Sequence, residues 1–361
     1  MKKNLLSNKK AIFTPGPVKM SSDIKAIGGL QTPYFRNKEF SDILLDCEKH
    51  LLQLAHAPQG SRVVFITASG TAAMEAAVIN LLDQSQSTLI INGGGFGQRF
   101  VDICQLHQFP VNEVKVENNN LADTTCLKAY QDTTALCVNA HETSIGLLYD
   151  LNAIGQFCKK NKLLNIVDAI SLFVTDPLDM VQQNIDVLIL SSQKGLALPP
   201  GLSMVILSPQ AIKQIKPKRS YYFDFNTHLT NGLRGQTPFT PAVSIILQLY
   251  ARLEQISDSG IDSEQLKTKQ IADYFRKAIE PLPLSPYTQF MPNAMTALTP
   301  TDGKKAFDIV NLLEEKYNIV VAPNGGDLQD VIFRVSHMGD MTQAYTDRLI
   351  NTLFDIYGVQ R

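Results

Sequence analysis

The sequence predicts an α/β fold for this chain of 361 residues, and three observations lead to that prediction. Short apolar runs alternate with helix-like segments from about residue 63 to residue 208. The runs are apolar throughout, which is typical of strands that are buried on both faces of a sheet. The chain is also long enough to bury a large core. We therefore expect a mainly parallel sheet covered by helices, with ligands bound beyond the carboxyl ends of its strands.

Seven strands are expected in this part of the chain, and helix patterns separate several of them. In chain order the predicted strands are VVFIT (63–67), TLIIN (88–92), PVNEVKV (110–116), ALCVNA (135–140), LLNIVDA (163–169), DVLILSS (186–192) and MVILS (204–208). The predicted helices are GTAAMEAAVINLL (70–82), FGQRFVDICQLH (96–107) and LNAIGQFCKKN (151–161). A long helix pattern, FTPAVSIILQLYARLEQIS (239–257), ends this part.

A different arrangement is predicted after about residue 255, where helices are combined with a few short strands. The helix patterns are DSEQLKTKQIADYFRKAIEPL (262–282), AFDIVNLLEEKY (306–317) and a terminal helix from about Met341. The strand patterns are AMTALTP (294–300), NIVVAP (318–323) and VIFRVSH (331–337). We expect an N-terminal arm (1–20), a large domain (21–255) and a small C-terminal α+β domain (256–361).

Composition indicates a small-molecule partner. Lysines and arginines number 33 against 34 aspartates and glutamates, so no strong net field favours nucleic acid or an anionic membrane. The basic N-terminal stretch lacks the apolar segment of a secretory signal and no apolar run could span a bilayer, so a cytoplasmic location is expected. The cysteines are odd in number and scattered, so we expect packing residues and neither disulfides nor a metal site: Cys47, Cys104, Cys126, Cys137 and Cys158.

Two glycine-containing segments follow predicted strands and open helices. In TASGTAAMEAAV the amide groups of Ser69, Gly70 and Thr71 are placed to bind a phosphate at a helix N-terminus, although a simple N-cap by Ser69 or Thr71 explains the pattern equally well. In INGGGFGQRF the glycines do not have the G-x-G-x-x-G spacing of a dinucleotide site. Phe96 in this segment either stacks on a planar ligand or packs in the core.

An acid lies at the end of one predicted strand, and a lysine lies just past the end of the next. Asp168 ends an apolar strand, where a carboxylate needs a partner, and a helix N-cap is its structural alternative. Lys194 follows the next strand in SSQKG, and taken alone it is most simply a solvated loop residue. Together with Phe96 and the SGT segment (residues 69–71), however, Asp168 and Lys194 are the parts needed to hold pyridoxal 5′-phosphate. The lysine would form a Schiff base, and the acid would keep the pyridine nitrogen protonated.

The chain resembles the class V, fold-type I aminotransferases of the alanine/serine–glyoxylate and 2-aminoethylphosphonate–pyruvate group. The resemblance covers almost the whole chain and depends on several motifs in order: FTPGPV, ASGTAAMEAA, NGGGFGQR, HETSIGLL, VDAISLF, SSQKGLALPPGLS, TPFTPAVS and FRVSHMGD. It implies a fold-type I architecture, a pyridoxal 5′-phosphate cofactor and a homodimer.

The resemblance also implies a role for individual residues. Lys194 would be the Schiff-base lysine and Asp168 the partner of the pyridine nitrogen. Phe96 would stack on the cofactor ring where relatives often have Trp or Tyr, and Thr143 of HET would approach O3′ where several relatives have Ser. Arg334 of FRVS would bind the substrate carboxylate through its planar pair of donors, with a structural ion pair as the alternative. The residues implied to hold the phosphate are Ser69, Gly70, Thr71, Gln193 and, from a neighbouring subunit, Thr240.

The implied function is a transaminase that works in two half-reactions. It would move an amino group from a small donor of the alanine or serine type to pyruvate or glyoxylate by a ping-pong aldimine/ketimine mechanism. A 2-aminoethylphosphonate–pyruvate transaminase is the alternative. A cysteine desulfurase would need a mobile cysteine in the C-terminal part, and no cysteine follows Cys158. A non-catalytic relative would have no need of Lys194, Asp168 and Arg334 together.

Overall fold

A seven-stranded sheet forms the centre of the computed structural model, which describes residues 10–116, 127 and 132–361. Its strands are those expected from the sequence, and their order across the sheet is β2-β10-β9-β8-β5-β3-β4. Their bounds are β2 (Arg62–Ile66), β3 (Ser87–Asn92), β4 (Val111–Lys115), β5 (Thr133–Asn139), β8 (Leu164–Asp168), β9 (Val187–Ser191) and β10 (Ser203–Leu207).

The sheet is mainly parallel, as predicted, and β10 is the strand that runs against the others. The reason lies in its connection to β9. Residues 192–202 form turns and contain no helix. A chain that returns without a crossover helix pairs with the previous strand in antiparallel fashion. The direction of β10 therefore follows from the short SQKGLALPPGL segment that also carries Lys194.

Helices cover both faces of this sheet, which explains why its strands are apolar, apart from the edge strand β4, whose side chains are half-buried or exposed. Leu188 and Leu190 of β9 pack into one hydrophobic cluster, whereas Val187 and Ile189 pack into a second cluster on the opposite face. The helices of this part are α1 (Ser22–Gly28), α2 (Lys38–Leu54), α3 (Gly70–Leu81), α4 (Gly95–Leu106), α5 (Leu151–Asn161), α6 (Pro209–Lys213), α7 (Phe225–Gly232) and α8 (Val243–Ser259). A short hairpin joins β6 (His141–Glu142) to β7 (Leu147–Leu148).

The C-terminal part contains a four-stranded antiparallel sheet packed against helices, which is the α+β arrangement expected there. Its strands, in spatial order, are β11 (Leu284–Pro286), β12 (Met295–Pro300), β15 (Phe333–Ser336) and β14 (Ala322–Pro323). Its helices are α9 (Ile261–Ala278), α10 (Ala306–Tyr317) and α11 (Gln343–Tyr357), with a short 3-10 helix at Gly326–Leu328. The N-terminal strand β1 (Ala11–Ile12) pairs with β13 (Ile319–Val320) of this part.

The predicted domain boundary near residue 255 lies inside α8, and the division into an arm and two domains stays a prediction. Across the described ranges, no helix is both long enough and apolar enough to cross a membrane. The same ranges contain no group of three or more His, Cys, Asp or Glu side chains suited to a metal ion. Cys126 lies outside the described residues, and the other four cysteines are buried and unpaired.

Candidate active site

The carboxyl ends of four parallel strands meet at one edge of the central sheet. Ile66 at the end of β2 and Ser191 at the end of β9 both pair with Ser203 at the start of β10. Asp168 at the end of β8 pairs with Asn139 at the end of β5. The segments that leave these strands are therefore neighbours, although they are far apart in the chain.

Eight of the ten predicted site residues line a single cavity of about 220 Å³ at this edge. Gly16 and Pro17 of the N-terminal segment, Arg99 and Ser171 also contribute to its wall. The eight predicted residues are Ser69, Gly70, Thr71, Phe96, Thr143, Asp168, Gln193 and Lys194.

The start of α3 provides backbone donors at one side of this cavity. Ser69 has the extended backbone of an N-cap, but its side chain forms no capping hydrogen bond, so it leaves the first amide groups of the helix without an internal acceptor. A side chain at Gly70 would force Ile170 to move, because its Cβ would lie 2.3 Å from Cδ1 of Ile170. Unsatisfied N–H groups at a helix N-terminus are well suited to a phosphate.

Arg99 is a site residue that the sequence reasoning missed. Its Nη1 donates to Oγ1 of Thr71 at 3.0 Å, and its guanidinium carbon lies 4.7 Å from the centre of the Phe96 ring. Arg99 follows Phe96 by three positions on α4, and residues at that spacing lie on the same helix face. That spacing is the signal that could have identified it.

Asp168 is buried and accepts two hydrogen bonds. The backbone N–H of Ile170 donates to Oδ1 at 2.9 Å, and the amide of Asn139 donates to Oδ2 at 2.7 Å. Burial raises the pKa of Asp168 to about 6, while both hydrogen bonds oppose the shift because they stabilise the carboxylate. The group is therefore still ionised at neutral pH and can hold a positively charged partner.

Lys194 is an amine whose charge is easily lost. Its pKa is lowered to about 8, chiefly by burial and next by the positive charge of Arg334, whereas Asp168 acts in the opposite direction. Its Nζ donates to the carbonyl oxygen of Pro15. Gly16 leaves the space that Lys194 occupies, because a Cβ there would lie 2.6 Å from Cδ of the lysine. A lysine with this pKa is neutral in about a tenth of the molecules at pH 7, which is far more than for a lysine with an ordinary pKa.

Glu142 holds the beginning of α4 next to the cavity, and the sequence reasoning did not include it. Its carboxylate accepts the backbone N–H groups of Phe96 and Gly97, the latter at 2.9 Å, and the N–H of Ser144 at 3.1 Å. The adjacent Thr143 shares a hydrogen bond of 2.7 Å with Oγ of Ser171. Glu142 is fully buried, and its position three residues past the end of the buried strand β5 was the available signal.

Arg334 lines a second cavity of about 450 Å³, which shares four residues with the first: Gly16, Phe96, Thr143 and Lys194. Its two terminal nitrogens donate to the carbonyl oxygens of Thr143 at 3.1 Å and Pro323 at 2.6 Å, and its buried Nε has no partner. It donates to carbonyls and forms no ion pair with a carboxylate of the described residues. Burial lowers the pKa of this guanidinium, which an anionic ligand would counteract.

Thr240 is the predicted site residue that lies apart from both cavities. It is exposed in the segment that precedes α8. Arg36, also exposed, holds this segment by donating to the carbonyl oxygens of Thr237 and Pro238. His141, beside Glu142, is buried, and burial lowers its pKa to about 3, so its ring is neutral.

Three comparisons relate this arrangement to known proteins. The profile of the family described as "Aminotransferase class-V" matches residues 29–342. The chain is 31% identical to an "Uncharacterized aminotransferase" of Helicobacter pylori over 91% of this chain and 88% of that protein. It is 30% identical to the alanine–glyoxylate aminotransferase of Callithrix jacchus over 91% of this chain and 83% of that protein. The solved structure of an aspartate aminotransferase of Thermus thermophilus superposes with a TM-score of 0.90 at 25% identity, over 96% of this chain and 99% of that one.

Proposed function

The chain belongs to the class V aminotransferases, a family of pyridoxal 5′-phosphate-dependent transaminases, and we propose that it transfers amino groups between small monocarboxylate substrates. The donor would be an amino acid of the alanine or serine type, and the acceptor would be pyruvate or glyoxylate. The main observation in support of the proposal is that the two cavities meet at Lys194. Lys194 lines both of them, between Asp168 on one side and Arg334 on the other.

The residues of the first cavity fit pyridoxal 5′-phosphate. The free amide groups at the start of α3 suit its phosphate, together with Gln193, and Phe96 offers a ring face to its pyridine. The ionised Asp168 suits a protonated ring nitrogen. When bound, the cofactor supplies an aldehyde that carries the amino group and a ring that accepts electrons. These assignments are supported by the donor set of the cavity.

Three residues of the chain would carry out the proton and binding steps. Arg334 binds the substrate carboxylate through the N–H groups that the two carbonyls leave free, including Nε–H. In the first half-reaction Lys194, as a neutral amine, would take the proton from the substrate Cα and pass it on to the bound cofactor. In the second half-reaction it would make the reverse transfer and give a proton to Cα of the new amino acid. Asp168 holds the proton at the pyridine nitrogen.

We further propose a homodimer in which Thr240 reaches the phosphate in the partner subunit's cavity. The surface around Thr240 supports this assignment because it exposes an aromatic side chain, Tyr221, which is 77% exposed and lies with its ring centre 5.6 Å from that of Phe239. Phe239, directly before Thr240, stacks on Tyr222 with ring centres 4.9 Å apart. Isologous pairing would bury such a surface on both copies. Light scattering should give a dimer mass at micromolar concentration, and a fully active monomer would refute the assignment.

An amino-donor screen tests the proposed activity. The cofactor-loaded protein is mixed with alanine, serine, aspartate or 2-aminoethylphosphonate, with pyruvate or glyoxylate as acceptor, and the new amino and oxo acids are measured by mass spectrometry. We expect the highest kcat/KM with alanine or serine as donor. If 2-aminoethylphosphonate is the one donor that reacts, the alternative phosphonate transaminase replaces the proposed activity. If the protein binds the cofactor but turns over no donor–acceptor pair, the proposal is refuted.

A further inference from the structure

One face of α10 forms a wall of the cavity that contains Arg334. Phe307, Val310, Asn311 and Glu314 line this cavity, and their spacing of three, four and seven residues places them on the same side of the helix. Phe307 and Val310 are apolar, so the polar groups of this wall are the amide of Asn311 and the carboxylate of Glu314. A substrate bound at Arg334 would extend its side chain into this space.

Charges in this cavity are distributed unevenly. Of the described residues that line it, Arg334 and Lys194 are cationic and Glu314 is anionic. Lys10 forms an ion pair with Glu314 at 2.6 Å, and the two side chains are 36% and 43% exposed. Lys10 offsets part of the charge of Glu314, but an ion pair that is this exposed to solvent is weak. The carboxylate of Glu314 therefore still contributes negative charge to this wall of the cavity.

We infer that Glu314 selects against amino and oxo acids that carry a second carboxylate. The inference rests on the proposed function, because it takes Arg334 as the partner of the first carboxylate and Lys194 as the group beside the reacting carbon. A second carboxylate would then meet the apolar residues of α10 and the like charge of Glu314, and such a juxtaposition is unfavourable. Aspartate, glutamate and their oxo acids are disfavoured, whereas alanine, serine, pyruvate and glyoxylate present no second charge.

Two non-reacting acids separate this inference from the proposed activity. Propanoate has one carboxylate and succinate has two, and neither carries an amino or oxo group. Ligand-observed NMR titration of the cofactor-loaded protein gives a dissociation constant for each acid. The quantity of interest is the ratio of the succinate constant to the propanoate constant, which does not depend on turnover.

Glu314→Gln removes the charge with little change in shape, and Glu315→Gln is its matched control, since Glu315 is exposed on the same helix and lines neither cavity. We expect Glu314→Gln to lower the succinate-to-propanoate ratio on the order of fivefold at low salt, less at high salt, and Glu315→Gln to leave it unchanged. Lys10→Gln should raise the ratio because it exposes the charge of Glu314.

The outcomes are distinguishable. A ratio that is equal in the parent protein and Glu314→Gln, or that Glu315→Gln lowers as much, overturns the selectivity inference whatever the enzyme turns over. If Glu314→Gln lowers the succinate-to-propanoate ratio as expected but the parent protein does not transaminate alanine or serine, the proposed donors are refuted and the role of Glu314 is supported. If Lys10→Gln lowers the succinate-to-propanoate ratio, the claim that Glu314 repels a second carboxylate is contradicted.

Discussion

Replacing Arg334 with lysine should weaken both half-reactions while leaving cofactor binding intact. In the parent protein, two N–H groups of the guanidinium bond to the carbonyls of Thr143 and Pro323, which leaves Nε–H and the remaining donors for a substrate carboxylate. Lysine keeps the charge, but a single ammonium cannot serve both carbonyls and a carboxylate in the same plane. Losing one charge-assisted hydrogen bond costs about 1.5–3 kcal/mol, which corresponds to about tenfold to hundredfold in kcat/KM.

The assay follows each half-reaction separately by rapid mixing. The cofactor-loaded protein is mixed with the amino donor, and the aminated form is mixed with pyruvate or glyoxylate, while the visible spectrum of the cofactor is recorded. Arg348→Lys is a matched control, because Arg348 also donates to two backbone carbonyls, those of Tyr317 and Asn318, but lies exposed on α11 outside both cavities. We expect the apparent KM to rise for both substrates in Arg334→Lys and to stay constant in Arg348→Lys.

The two half-reactions together decide the role of this arginine. If neither changes, Arg334 only fixes the backbone at Thr143 and Pro323, and the substrate carboxylate binds elsewhere. If the oxo-acid half weakens and the donor half does not, the donor does not present a carboxylate to Arg334, and 2-aminoethylphosphonate becomes the preferred donor. A changed cofactor spectrum before any substrate is added would mean that the substitution disturbs Thr143 instead.

Three other predictions concern the cofactor side of the site. Lys194→Ala should keep the melting temperature within a few degrees and abolish turnover, and borohydride reduction of the parent protein followed by peptide mapping should label Lys194 and no other lysine. Asp168→Asn should still bind the cofactor but lose most of its kcat, since an amide cannot hold the pyridine proton; near-normal turnover would make Asp168 a structural carboxylate. In cofactor-free protein, the rate at which added cofactor attaches to Lys194 should rise with pH and level off above about 8, because only the neutral amine is a nucleophile; a rate independent of pH between 6 and 9 would contradict that pKa.

The fold could be predicted in some detail because most strands of the central sheet are buried on both faces. A segment such as DVLILSS has no polar face to obscure its pattern, and the predicted α5 and α10 have the observed bounds. The direction of β10 was not worked out, although the absence of a helix between residues 192 and 202 contained that information. Elements outside this pattern, such as α1 and the β6–β7 hairpin, are short. They depend on tertiary contacts that the spacing of apolar residues along the sequence does not reveal.

From the residues alone, the candidate site could be predicted most directly where a residue lies at the end of a strand or within a few positions after it. Asp168 and Lys194 have this position, and the parallel order of the sheet then brings them to one edge. Arg99 and Glu142 were missed because their importance depends on partners 28 and 45 residues away, namely Thr71 and Gly97. The assigned roles, including that of Thr240 across an interface, stay proposals that the experiments above address.

The antiparallel strand β10 also sets the distance between two segments of the site. It separates β2, which leads to the SGT segment, from β9, which leads to Lys194, and its Ser203 faces the last residue of both. Adjacent strands are about 4.8 Å apart, so the two segments start about 10 Å from each other. Without β10 they would leave neighbouring strands about 5 Å apart, with no width for an aromatic ring between a phosphate and an amine. The strand that breaks the parallel pattern thereby widens the gap between the SGT segment and Lys194 at this edge.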